Sequence, residues 1–188
     1  MTPTTTGTDP TTLKAAYASF PTGVAAVCAQ SGGELIGMAA SSFTAVSLDP
    51  PLVSVCVMNT SRTWQRLRGS ARLGVSILAA DQGAVCAAIG RRRVDRFAGI
   101  DTAVSPEDAV FVRGAGVWLD CEVQSLLPAG DHTIVLLRVV GLDVDADRQP
   151  LVYLAGDVRE LVPRMPKPGD RTAPVGAGGP VVSKGVLS

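Results

Sequence analysis

The sequence predicts a mainly β fold, an antiparallel barrel with short helices at its periphery, and three observations carry that prediction. Residues 117–127 and 133–144 are long β-rich runs separated only by Pro128-Ala129-Gly130-Asp131. A link that short cannot make a parallel crossover, so the two runs pair antiparallel. Residues 23–30 and 34–48 flank Ser31-Gly32-Gly33, and these glycines supply the positive φ that a tight hairpin turn needs. Strands alternate with helical stretches, as a doubly wound sheet requires, but the lengths of the late β-rich runs fit an antiparallel barrel better.

Taken in order, the Thr- and Pro-rich residues 1–10 are expected to be disordered. Thr12 is expected to cap a short helix through Leu13, Ala15, Ala16 and Tyr17 that ends before Pro21. The hairpin follows, and Pro50 and Pro51 break its second strand. Residues 52–58 alternate as a strand, and residues 61–69 (SRTWQRLRG) read as a helix with Ser61 as cap, a Trp64/Leu67 face and Gly69 at its end. Residues 72–78 resume strand character, and residues 80–90 (ADQGAVCAAIG) read as a second helix capped by Asp81. Residues 91–114 lose periodicity and read as a long loop of the kind that closes over a site. Beyond Val162 the composition turns to Pro and Gly and holds too little apolar surface to fold alone. The expected organisation is therefore one domain over residues 11–162, with residues 163–188 a tail or an arm laid on a partner subunit.

The 188 residues suffice for one domain with a sizeable core. Lys and Arg total 17 and Asp and Glu total 17, so no net charge draws the chain to nucleic acid or an anionic membrane. No apolar run reaches the about 18 residues that span a bilayer. The first residues lack both the basic and the apolar parts of a secretory signal, so a cytoplasmic location is expected. Cys28, Cys56, Cys86 and Cys121 lie far apart with no CxxC pair and read as small core residues, with neither a disulfide framework nor zinc-ligand spacing.

The chemistry-bearing features are local. Gly37 to Pro51 (GMAASSFTAVSLDPP) packs small and hydroxyl side chains into a strand, so that Ala39, Ala40, Ser41 and Ser42 leave the backbone open to a flat ligand and offer hydroxyls to a phosphate. Small residues in strands equally mark bulges or close sheet packing, and the isolated motif serves either reading. Ser61-Arg62-Thr63 opens a helix directly after a strand, where free N–H groups, a hydroxyl and a guanidinium suit a phosphate. Asp81-Gln82 at the next strand-to-helix junction adds donors, although capping alone accounts for Asp81. His132, the single histidine, follows Gly130 and Asp131. It serves either to satisfy a turn carbonyl or, with Asp131 fixing its tautomer, to bind a pyrophosphate or carboxamide. Arg91-Arg92-Arg93 with Arg96 reads first as solvated surface and second as a phosphate contact. No GxGxxG, GxxxxGK[ST] or GxSxG is present, which excludes a Rossmann crevice, a P-loop and a hydrolase elbow.

In this order these segments resemble a known family. Phe20-Pro21-Thr22-Gly23-Val24, Gly37-Met38-Ala39-Ala40-Ser41-Ser42-Phe43-Thr44 and Ser47-Leu48-Asp49-Pro50-Pro51-Leu52-Val53 carry the first part of the resemblance. Leu78-Ala79-Ala80-Asp81-Gln82, Asp95-Arg96-Phe97, Trp118-Leu119, Gly130-Asp131-His132 and Pro150-Leu151-Val152-Tyr153 carry the rest. The chain resembles the short-chain flavin reductases of two-component monooxygenases, whose fold is the FMN-binding split barrel. The resemblance implies a homodimer that uses NADH or NADPH to reduce FMN or FAD and releases the reduced flavin to a separate monooxygenase. It implies that Met38, Ala39, Ala40, Ser41 and Ser42 line the flavin, with Cys56 and Val57 beside the ring. Ser61, Arg62 and Thr63 would then lie near the ribityl phosphate, with Asp81, Gln82 and Phe97 completing the cofactor set. His132 would contact the nicotinamide nucleotide. The family often has Thr where this chain has Ala39 and a polar residue where it has Leu154. The alternative is a flavin-binding electron-transfer module on the same barrel.

Overall fold

The computed structural model describes residues 9–91, 95–159 and 161. The chain enters through α1 (Pro10–Ala18) and the short β1 (Thr22–Gly23). The cap of α1 is Asp9, whose carboxylate accepts from the Thr12 N–H at 3.0 Å, so Thr12 is the capped residue and not the cap.

Seven strands make the main sheet. They are β2 (Ala25–Ser31), β3 (Glu34–Ala40), β4 (Thr44–Leu48), β5 (Pro51–Met58), β6 (Leu73–Ile77), β9 (Val117–Ala129) and β10 (His132–Val144), with β7 (Thr102–Val104) and β8 (Val110–Val112) inserted between β6 and β9. Their order is β3-β2-β6-β9-β10-β5-β4 and every pairing is antiparallel. The predicted single strand over residues 34–48 is instead two strands, interrupted at Ser41, Ser42 and Phe43. The interruption shapes the fold, because β3 and β4 lie on opposite edges of the sheet. Flattened, six strand spacings would hold those edges about 29 Å apart, whereas the four Cα steps from Ala40 to Thr44 reach about 14 Å at most. The sheet therefore curls until one extended run serves both edges, which is the split antiparallel barrel.

Its interior holds Val27, Val53, Val55, Leu73, Val75, Val135 and Leu137. Outside β2 lies a second core of Ala26, Cys28, Ile89, Phe97, Val110 and Val112, so Ala25 to Ala29 are buried on both faces. Small side chains at Ala25, Ala26, Cys28 and Ala29 let both layers approach. The outer layer comes from α3 (Gly83–Gly90) and from the β7–β8 hairpin. That hairpin corrects the expectation of an aperiodic loop over residues 91–114. Its strands are only three residues long, too short for alternation to reveal, yet Val110 to Val112 are buried.

Two further boundaries differ from expectation. The β9–β10 link is only Gly130-Asp131, because Pro128 and Ala129 remain paired with Thr133 and His132. Asp81 does not cap α3: residues 80–82 form a 3₁₀ turn before it, and the Asp81 carboxylate accepts from Arg148 at 3.0 Å. Ser61 does cap α2 (Arg62–Leu67), which buries Trp64 and Leu67 as its pattern predicts. A small sheet of β1, β11 (Val152–Leu154) and β12 (Asp157–Arg159) closes the described chain. No helix among the described residues is long and apolar enough to cross a membrane. Residues 163–188, with the predicted tail, lie outside the described residues, as do Arg92 and Arg93.

Candidate functional site

The site is assembled where the barrel splits. Ser41 is exposed at the end of β3, and the next residue stitches the opening: the Ser42 hydroxyl accepts from the Cys56 N–H at 2.9 Å and donates to the Cys56 carbonyl at 3.1 Å. One side chain thus stands in for the missing ladder partner of β5. Ser42→Ala is expected to lower stability by about 1 kcal/mol, the net worth of such exchanges at a solvent-accessible position, measurable as a lower urea midpoint with unchanged slope.

Alternation along β5 sends Ser54, Cys56 and Met58 outward and Val53, Val55 and Val57 inward. Cys56 is therefore exposed, against the expectation that all four cysteines are core residues, and Val57 is a barrel-core side chain at 1% exposure. Of that predicted pair only Cys56 presents a side chain to the outer face. On β3, Met38 and Ala40 pack toward the barrel interior and Ala39 toward the second core. What β3 offers a ligand is its free edge. The Gly37 carbonyl points off that edge and accepts from Arg96 at 2.9 Å, and period-two alternation turns the N–H and C=O of Ala39 the same way.

The turn from β5 into α2 supplies polar groups whose own bonds are largely structural. The Ser61 hydroxyl accepts from the Trp64 N–H at 3.2 Å, and the Thr63 hydroxyl accepts from Arg96 at 3.0 Å. Arg62 is exposed. Arg96 thus joins α2 to β3. Asn59, which precedes these residues, joins them to the β9–β10 hairpin. Its N–H donates to the Asp131 carbonyl at 3.0 Å, its side-chain amide donates to the Gly130 carbonyl at 3.0 Å, and its side-chain carbonyl accepts from the Thr133 hydroxyl at 2.8 Å. Sequence reading missed Asn59, because an Asn between a strand and a helix cap is explained by turn preference alone.

His132 opens β10 directly opposite Met58. Its Nδ1 lies 2.7 Å from the Asp131 carboxylate and its side chain is 39% exposed. Gly130 takes φ +65°, the left-handed conformation that the two-residue turn demands. The Asp131 carboxyl is held below its ordinary value, first by the hydrogen bond to His132 and then by the charge of that ring. A depressed native value contributes stability above the unfolded value and loses it only as pH falls through the native one. Asp131 is thus ionised throughout the neutral range.

The remaining predicted residues are placed elsewhere or inward. The Gln82 amide is buried, accepting from the Ala79 N–H at 3.0 Å and donating to the Arg113 carbonyl at 2.8 Å, and Asp81 faces Arg148. Phe97 is a second-core side chain stacked against the space at Gly37, where an added Cβ would meet its ring at 2.7 Å. The structure brings together Ala39, Ser41, Ser42, Cys56, Ser61 to Thr63 and His132. It does not bring Asp81 or Gln82 into hydrogen-bond contact with them.

Thiol chemistry reads out this arrangement. Burial pushes Cys28 and Cys121 up to about 12 and raises the half-buried Cys86 as well, whereas Cys56 is exposed. A disulfide reagent at neutral pH is expected to label one thiol fast in the native protein and to lose that phase in Cys56→Ser.

The family model described as flavin reductase like domain matches residues 17–162. The reductase subunit HsaB of a flavin-dependent monooxygenase from Rhodococcus jostii is 34% identical over 88% of this chain and 82% of its own. Among solved structures, the Streptomyces globisporus NADH:FAD oxidoreductase SgcE6, in complex with NAD and FAD fragments, is 35% identical. It superposes with a TM-score of 0.78 over 82% of this chain and 94% of that one. BorF, the flavin reductase component of a bacterial two-component tryptophan halogenase, is 34% identical with a TM-score of 0.75 over 83% of this chain and 100% of that one. Because the family match begins before β1 and ends beyond β12, it takes in every strand of the barrel and both sides of the split, and the chain belongs to the flavin reductase like domain family.

Proposed function

We propose that the protein uses NADH or NADPH to reduce free FMN or FAD and delivers the reduced flavin to a separate monooxygenase. The observation that carries this reading is the convergence of an open strand edge, a donor-rich strand-to-helix turn and the His132 tip, cross-linked through Ser42, Arg96 and Asn59. The residues fit a flavin: an edge strand with small side chains admits a flat ring, and Arg62 and the N–H groups that open α2 suit a phosphate. Bound flavin supplies an acceptor for the hydride of a reduced nicotinamide.

The chain itself contributes orientation. The N–H groups of Ala39, on the free edge of β3, and of Ser41, just past its end, would hydrogen-bond the rim of a bound ring and favour negative charge there. The outer face of β5 at Cys56 and Met58 would support the ring, and His132, fixed by Asp131, would hold the nicotinamide nucleotide. Reaction needs the donor and acceptor atoms about 3 to 3.5 Å apart with water excluded, and no protein group has to move a proton. Relatives named as monooxygenase reductase subunits support the partner.

The reading includes a homodimer, supported by exposed apolar side chains. Leu48 on the edge strand β4 is 96% exposed, and Val46 on β4 with Leu142 and Val144 on β10 are exposed as well. Light scattering is expected to give about twice the chain mass of 19.3 kDa.

The test follows the loss of reduced-nicotinamide absorbance in air with each pairing of NADH or NADPH with FMN or FAD. Rapid loss that depends on added flavin is the expected result. Tight flavin binding with no such loss would move the assignment to an electron-transfer module.

A further inference from the structure

We infer that Asn59 is a positioning residue, which holds His132 at a fixed distance from the flavin cradle. The inference rests on the flavin reductase reading and deepens it. Two segments must cooperate for hydride transfer, and they come from distant parts of the chain. Residues 56–63 run from the outer face of β5 into α2, and residues 130–133 form the tip of the β9–β10 hairpin. Ladder pairing of β5 with β10 stops at Met58 and His132. Past that point a two-residue turn on one side and a strand-to-helix turn on the other would separate. Asn59 prevents this with three bonds: its N–H donates to the Asp131 carbonyl, its amide donates to the Gly130 carbonyl, and its side-chain carbonyl accepts from the Thr133 hydroxyl. The three partners bracket His132 on both sides in sequence. Asp131, which orients the imidazole at 2.7 Å, is one of them.

A side chain that ties two turns together at the protein surface contributes little to the core, so its effect falls on geometry. Loss of the two side-chain bonds frees the hairpin tip, while the strand edge and helix start that receive the flavin keep their own ties through Ser42 and Arg96. Asn59 acts through His132 and needs no contact with either cofactor.

The test is anaerobic single-turnover reduction of protein-bound FMN or FAD by NADH or NADPH held well below its half-saturating concentration, where lost nucleotide positioning lowers the observed rate, with flavin affinity measured separately by titration. Asn59→Ala is expected to slow reduction about tenfold, as misplacement of reacting groups does, with flavin affinity within about twofold of the parent protein. Introduced into His132→Ala, the same change is expected to add less than about twofold, because residues acting as a unit are not additive. A second full tenfold loss in that background overturns the inference. So does an unchanged reduction rate in Asn59→Ala, or weakened flavin binding with reduction intact, which would make Asn59 a flavin ligand. If Asn59→Ala does not fold, Thr133→Val removes one of the three bonds and is expected to slow reduction about threefold by the same route; no slowing overturns it. Parent protein that binds flavin yet transfers no hydride refutes the reductase reading itself, before any variant is compared.

Discussion

Gly74→Ala is expected to destabilise the protein by about 3 kcal/mol or more, near the upper end of what overpacking a core costs. Gly74 is the second residue of β6, paired to β2 at Cys28 and to β9 at Asp120, with the β7–β8 hairpin laid across it. An added Cβ would stand 2.6 Å from the carbonyl carbon of Val110 and 2.9 Å from its nitrogen. These are backbone atoms, so no rotamer change relieves the clash. Nor can the hairpin lift away freely. The buried Ser76 hydroxyl accepts from the Val112 N–H at 3.0 Å, the Trp118 indole donates to the Val112 carbonyl at 2.7 Å, and Gln30 bonds the Asp108 carbonyl at 2.8 Å. Either those bonds or the sheet must yield. Thermal unfolding is expected to show a fall of about 6 to 12 °C for a chain of this length. A shift under about 2 °C would mean that the hairpin rests on β6 less closely than described. Gly69→Ala, where an added Cβ meets nothing within 4 Å, is the control.

His132→Ala is expected to raise KM for NADH or NADPH about tenfold while KM for flavin changes by less than about twofold, the pattern of lost binding to one substrate. The imidazole is the one ring that the hairpin tip presents at the site. It is partly exposed, oriented from one side by Asp131 and aligned with Met58 across the ladder. Its removal leaves the fold untouched, since neither His132 nor Asp131 belongs to either core. Asp131→Asn should move the same parameter in the same direction by a smaller factor, because the ring remains but its orienting charge is gone. Steady-state kinetics over a grid of both substrates separates the two KM values. Unchanged nucleotide kinetics in His132→Ala would remove this residue from the site.

The parts of the fold that were legible in the sequence are those where a single physical rule dominates. Strand length and link length decided the β9–β10 pairing, and Ser61 with the Trp64/Leu67 face decided α2. The β7–β8 hairpin was not legible, because three-residue strands carry no period. The Asp81 cap failed for a different reason: an acidic residue at a strand end was offered both a helix start and the distant Arg148, and the ion pair prevailed. Within the site, composition singled out Ser41-Ser42 and Gly130-Asp131-His132, but it read the two serines as the interior of one strand where the structure has a break. It did not reveal that the Ser42, Ser61 and Thr63 hydroxyls are already engaged with protein atoms. A hydroxyl in a sequence is a donor and acceptor without an address. The same limit hid Asn59, whose partners lie about 70 residues away and are joined only after β5 and β10 have paired.

The double burial of β2 bears on how the site can afford a substrate that comes and goes. Amide exchange with solvent reports the free energy of local opening, and it is slowest where a strand is covered on both sides. Ala25 to Ala29 have essentially no exposure, and their ladder partner is β3, whose other edge is the wall proposed to face the flavin. That wall is bolted to the segment least able to breathe. Flavin exchange can then proceed through fluctuations of the surface turns while the reference frame for hydride transfer stays closed over many turnovers.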